Sequence, residues 1–136
     1  MFYAYDVTIP ANTTEVAAVE TELQLNEGII HRIGIGFPEN CSGLARVRLL
    51  RFSHPVFPTN KDAKFQWDGE AVWWDEYLPL RDSPFTLTAH SWNLDDTYPH
   101  TITIWIGVMP WEVYWRLAPS RQLEQQLQRA FGLPSL

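Results

Sequence analysis

The residues able to do chemistry are few and scattered. Four histidines, His31, His54, His90 and His100, stand singly. The His-x-His pair, following Glu and later His through which eight-stranded barrels hold a metal are missing. His31 falls among isoleucines in "IIHRIGIGF", where a hydrogen-bonded core histidine is expected. His90 and His100 flank the "NLDD" loop at 93–96. Two imidazoles with Asp95 or Asp96 would make a donor set for a transition metal if that loop drew them together. The loop lacks the alternating acids and glycine that wrap calcium. As a turn it calls for Asn and Asp in any case, because their side chains bond nearby amides. No metal and no cofactor is expected.

The remaining chemistry is thinner still. Asp75 and Glu76 are adjacent, and neighbours on a strand point to opposite faces, so they cannot flank one glycosidic bond. Cys41 is the one cysteine and has no basic neighbour in sequence to make it a thiolate. It also excludes an internal disulfide. No nucleophile elbow, phosphate loop or dinucleotide fingerprint occurs. No catalytic residue is expected, and the chain reads as a non-enzyme.

The aromatics are the conspicuous resource, at 14% of 136 residues with seven Trp. Trp73, Trp74 and Trp92 are candidates for stacking on sugar rings, which makes a carbohydrate-binding module the alternative reading. Trp73 and Trp74 face opposite ways on a strand, so one of them belongs to a core. A net charge of −6 argues against a phosphate-backbone binder. Arg46, Arg48 and Arg51 form a local group that a solvated strand face with cross-strand ion pairs explains. The opening residues lack the basic-then-apolar order of a secretory signal, and no run approaches a membrane span. A soluble protein is expected, without nucleic acid or membrane as partner.

The elements that must position these residues are strands. Period-2 alternation puts Tyr3, Tyr5, Val7 and Ile9 on one face of "YAYDVTI", and Ile102, Ile104, Ile106 and Val108 on one face of "TITIWIGVM". "IIHRIGIGF" places Ile29, His31, Ile33, Ile35 and Phe37 together. Its Gly34 and Gly36 lie opposite, where another backbone or a large side chain can approach. "LARVRLLRF" sets Ala45, Val47 and Leu49 against Arg46 and Arg48. "SHPVFPTNKD" at 53–62 reads as an irregular excursion. "AKFQW" and "AVWWDEY", joined by Asp68-Gly69, read as a hairpin. The expected fold is an all-β, eight-stranded antiparallel jelly-roll-like sandwich over 1–110, with a short C-terminal helical arm over 111–136.

Within that arm Ser120 caps a helix expected over 121–131, ended by Gly132 and Pro134. Leu123, Leu127 and Phe131 share one stripe, each worth about 1.5–3 kcal/mol if buried. A helix this short is marginal in water until it docks. With Trp111, Tyr114 and Trp115, these residues are the candidate partner interface.

The pattern "VTIPANTTE…LQLNEGIIHRIGIGFPENCSGLARVRL…SWNLDDTYPHTITIWIGVMP" resembles small jelly-roll structural proteins of tailed phages, over residues 7–110. The resemblance lies in a strand ending Ile-Pro-Ala-x-Thr, a Gly-Ile-Ile-His-x-Ile strand, a Phe-Pro loop and a Trp-Asn loop before the last strand. It implies a virion component, a capsid decoration or tail-associated protein made in the host cytoplasm. Its partners would be copies of itself, a trimer being favoured, and other virion proteins. No catalytic residue carries over, and the arm lies outside the matching region.

Overall fold

The computed structural model describes residues 1–117. Nine strands precede one helix: β1 (Phe2–Ile9), β2 (Val19–Gln24), β3 (Gly28–Gly36), β4 (Ala45–Arg51), β5 (His54–Phe57), β6 (Phe65–Gln66), β7 (Ala71–Leu80), β8 (Thr86–Asn93), β9 (His100–Met109) and α1 (Trp111–Leu117). They form two antiparallel sheets, β1-β9-β3-β7 and β2-β8-β4-β5, with β6 added to β4. The pairs β1·β9, β2·β8, β3·β7 and β4·β5 nest like one long hairpin whose tip is β4–β5. Wrapping that hairpin brings β3 to β9 and β4 to β8 and closes both sheets. This is the wrap of a jelly roll. The ninth strand is the two-residue β6, too short to show as alternation in the sequence.

The core lies between the sheets and follows the alternation. Val7 and Ile9, Leu23, Ile33 and Ile35, Ala45, Val47 and Leu49, Leu87 and Ala89, and Ile102, Ile104, Ile106 and Val108 are all buried in it. Tyr3 and Tyr5 pack at its margin, and the Tyr5 hydroxyl donates to the Gln24 carbonyl, tying the edge of one sheet to the other.

Four local expectations are corrected. The register of β3 slips between Ile30 and Arg32, so the bulge carries His31 off the face of Ile33 and Ile35 and puts Ile30 in the core instead. Strand β5 lies inside the stretch expected to be irregular. Phe52 and Ser53, both with positive φ (49° and 68°), reverse the chain so tightly that 54–57 pairs back on β4. Pro55 is tolerated there because β5 is an edge strand. The Asp68-Gly69 turn does not make a hairpin, because β6 pairs with β4 while β7 crosses to β3 in the other sheet. Gly69, at φ 71°, supports that crossing, and its N–H donates to the Pro38 carbonyl at 3.1 Å.

The fourth correction is α1, which starts at Trp111, directly after the last strand. The Pro110 carbonyl accepts the first helical bond from Tyr114 N–H at 3.0 Å, and the missing proline N–H costs nothing at that position. Glu112 in the first turn and Arg116 in the last suit the helix dipole. The helix expected over 121–131, with Leu123, Leu127 and Phe131, lies outside the described residues.

Candidate functional site

The outer face of the β1-β9-β3-β7 sheet gathers the unusual side chains. Gly34 stands opposite Trp73 on one side and Trp105 on the other. A Cβ on Gly34 would lie 2.6 Å from the Trp73 ring, and one on Gly36 would lie 2.8 Å from Trp105. The large group that approaches these glycines is therefore indole. The two indoles stack at 5.0 Å with an 18° tilt. Phe2 on β1 extends the row, 6.3 Å from Trp73. Arg32, on the same outer face as Gly34, lies 5.4 Å over Trp73 and bonds Asp75 at 2.7 Å. Phe2 (57%), Trp73 (41%) and Tyr77 (47%) keep much of their surface in solvent.

Helix α1 continues this band. Tyr114 meets Tyr77 at 5.5 Å, and the Arg81 guanidinium covers Trp111 at 4.5 Å. Of the expected interface residues, Tyr114 thus joins the aromatic band through Tyr77, while Trp111 lies beneath Arg81. The side chain of Trp115, like Leu123, Leu127 and Phe131, lies outside what is described.

Of the three tryptophans expected to stack on a ligand, only Trp73 keeps much of its surface in solvent. Trp74 points inward, stacked on Phe65 at 4.8 Å and edge-on to Phe57 at 6.0 Å, with Nε1–H donating to Glu76 Oε1. Trp92 is 1% exposed although it lies outside the intersheet core. The Arg48 guanidinium lies 4.9 Å over its ring, and His90 meets it edge-on at 5.8 Å. Both are withdrawn from ligand stacking because their faces are already packed.

The arginine group is not a solvated face either. Arg48 pairs with Glu15 from the β1–β2 connection. Arg51 donates to the carbonyls of Asp82, Pro84 and Thr86, and Arg46 Nε donates to the Gly43 carbonyl at 3.2 Å. Each of the three is thus tied to the fold by at least one of these bonds, although Arg48 Nε is buried without a hydrogen-bond partner.

The histidines do not converge. His90 faces Glu20 at 3.3 Å, while His100 bonds Asp95 at 2.8 Å. Among the described residues no group of three or more His, Cys, Asp and Glu stands close enough to hold a metal. Asp95 instead builds a turn: its Oδ1 accepts from Thr97 and Tyr98 N–H, and its own N–H donates to Asn93 Oδ1. Cys41 is buried, its thiol donating to the Trp67 carbonyl at 3.0 Å, and burial pushes its pKa up, away from the thiolate.

The hydrogen bond from Thr97 N–H, and then that from His100, hold the Asp95 carboxyl below the ordinary carboxylate value. Its contribution to stability is therefore complete above the unfolded-state pKa of about 3.9 and is lost as pH falls through the lower folded value. Between roughly pH 5 and pH 2 the urea midpoint of the wild-type chain should fall more steeply than that of Asp95→Asn. Parallel midpoint curves would mean that the turn does not favour the charged carboxylate.

No protein-family model matches the chain, and no curated protein is significantly similar to it. The outer-face band was partly visible in sequence, since Trp73 and Trp105 alternate against core positions and Gly34 and Gly36 mark a close approach. Phe2, Arg32 and Tyr77 were missed. Their grouping depends on which strands are neighbours, which no local pattern announces.

Proposed function

We propose that this chain is a non-enzymatic structural protein of a phage or phage-like particle, a capsid decoration or tail-associated component. It works by binding neighbouring copies of itself and other virion proteins, and its place is the virion. A fold alone does not fix a function. The observation that carries the reading is the exposed aromatic band Phe2–Trp73–Tyr77, continued by Tyr114 of α1. The resemblance over residues 7–110 supports it.

The first occupant of this band is a second copy of the chain. Buried aromatic anchors dominate the energetics of protein contacts, and a standard interface covers about 800 Å² on each partner. Two copies that each carry a net charge of −6 must meet where charge is locally balanced. The band meets that condition, because Arg32 and Asp75 neutralise one another at its centre. The groups best suited to the centre of a contact are thus apolar and framed by a self-complementary pair.

Light scattering on the full chain should give an oligomer, with a trimer expected. The double variant Phe2→Lys, Tyr77→Lys should run as a monomer with an unchanged far-UV spectrum, because both side chains are exposed and neither joins the core. A monomeric wild type at high concentration would sink self-association through this face.

A further inference from the structure

Beyond Trp105 the outer face changes character, and there we infer a binding site for an uncharged saccharide. The proposal is independent of the assembly reading. The aromatic band occupies the Phe2 end of the sheet. One step along the strands, at the level where Asp6, Thr103 and Gly36 stand side by side, the surface drops into an open groove of about 490 Å³. That volume falls within the roughly 300–1,000 Å³ typical of small-molecule sites.

The groove has an aromatic wall, a floor and a polar rim. Trp105 forms the wall, and Trp73, which stacks on Trp105, does not line the groove. Gly36 and Thr103 form the floor, and the missing Cβ of Gly36 makes room for the edge of the Trp105 ring. Thr101 and Glu70 stand on the rim, both exposed. Thr103 donates its hydroxyl proton to Asp6, and Thr101 shares one with Thr8, so both hydroxyl oxygens keep capacity to accept from a ligand's hydroxyls. Glu70 accepts from Trp67 Nε1–H through Oε2, which leaves Oε1 as a further acceptor.

This set of groups selects a ligand class. No Lys, Arg or His is among the described residues lining the groove, and Glu70 is acidic, so phosphates, carboxylates and nucleotides are disfavoured. The backbone groups of β3 and β9 are spent on their ladder, so a peptide strand finds no hydrogen bonds on the face. What remains is a molecule that is apolar on one side and rich in hydroxyl donors on its edge. A pyranose ring is such a molecule, its C–H face laid on indole and its hydroxyls donating to carboxylate and threonine oxygens. An open, largely preformed groove with few polar anchors gives weak binding, with a dissociation constant of about 1 mM.

The test is a titration of the full-length, isotope-labelled chain, reading the indole N–H resonance of Trp105 and the amides of Gly36 and Thr103. The probes are methyl β-glucoside, methyl β-galactoside, methyl α-mannoside and N-acetylglucosamine, each taken past about ten times that dissociation constant. At least one should give saturable shifts at these positions while the indoles of Trp74 and Trp92 stay still. Glucuronate should bind at least about tenfold more weakly than glucose. Trp105→Ala should abolish the shifts at Gly36 and Thr103. Because that change also uncovers Gly36, Glu70→Gln is the second variant. It leaves the fold intact and should weaken binding about tenfold. No saturable shift with any sugar overturns the proposal, as does binding that both variants leave unchanged, or a preference for the charged sugar. Molar mass recorded on the same samples separates this result from the assembly reading, since sugar binding should persist in the Phe2→Lys, Tyr77→Lys variant.

Discussion

Replacing Trp92 by alanine should destabilise the protein by about 3–5 kcal/mol, the cost of emptying a fully buried Trp site. The melting temperature should fall by roughly 10–20 °C. The argument rests on where Trp92 sits. It is on the outer face of the β2-β8-β4-β5 sheet, opposite Leu87 and Ala89, yet only 1% of it reaches solvent. Arg48 closes over the ring from β4 and is itself held by Glu15, while Thr13 pairs with Asn93 and keeps that connection on the sheet. Trp92 is thus the centre of a second, small core. Trp73→Ala provides the contrast. Its ring is 41% exposed, so its removal should cost about 1–1.5 kcal/mol. Equal costs in urea denaturation would show that Trp92 beneath Arg48 is not packed as a core.

How the sequence betrayed the fold depends on what kind of information each element needed. Ile102 to Val108 and Ala45 to Leu49 declared their inward faces because a strand buried on one side alternates, whatever its neighbours are. Alternation assigns a face but not a partner. Phe65 and Gln66 therefore read as one arm of a hairpin with β7, although the Asp68-Gly69 turn carries the chain from one sheet to the other. Pro55 disguised β5, since proline normally argues against a strand and only the edge position admits it. The bulge at His31 was invisible for a different reason. Nothing in "IIHRIG" violates alternation until the ladder to β9 skips a residue.

The same limit governed the candidate sites. That Trp73 and Trp105 lie opposite core positions could be read directly. That they stack on each other, over two glycines of the strand between them, is a property of the order β9-β3-β7. Trp92 shows the converse error, because an outward Trp suggests a platform until Arg48 of the neighbouring strand is found lying over it. The groove beyond Trp105 combines residues of β3, β9 and the turn before β7, drawn from separate parts of the chain.

Two glycine substitutions should separate structural necessity from the outer-face aromatics. Gly28→Ala should cost about 3 kcal/mol or more, since two penalties coincide. The residue has φ 149°, which side chains rarely adopt, and a Cβ there would stand 2.6 Å from the Met109 carbonyl oxygen, which belongs to the paired strand. No side chain can move aside to relieve that contact. Gly34→Ala also brings a Cβ to 2.6 Å, but from the Trp73 ring, which can swing into solvent. Its cost should be about 1–3 kcal/mol in the wild-type background. In a Trp73→Ala background the contact is gone, and Gly34→Ala should become neutral or stabilising, because alanine loses less entropy than glycine on entering a strand. The double-mutant cycle should therefore show a coupling of about 1 kcal/mol or more. Gly28→Ala should show no coupling to Trp73→Ala. If Gly34→Ala costs the same in both backgrounds, the indole does not rest on that glycine, and the packing that holds Trp73 and Trp105 on the outer face has another origin.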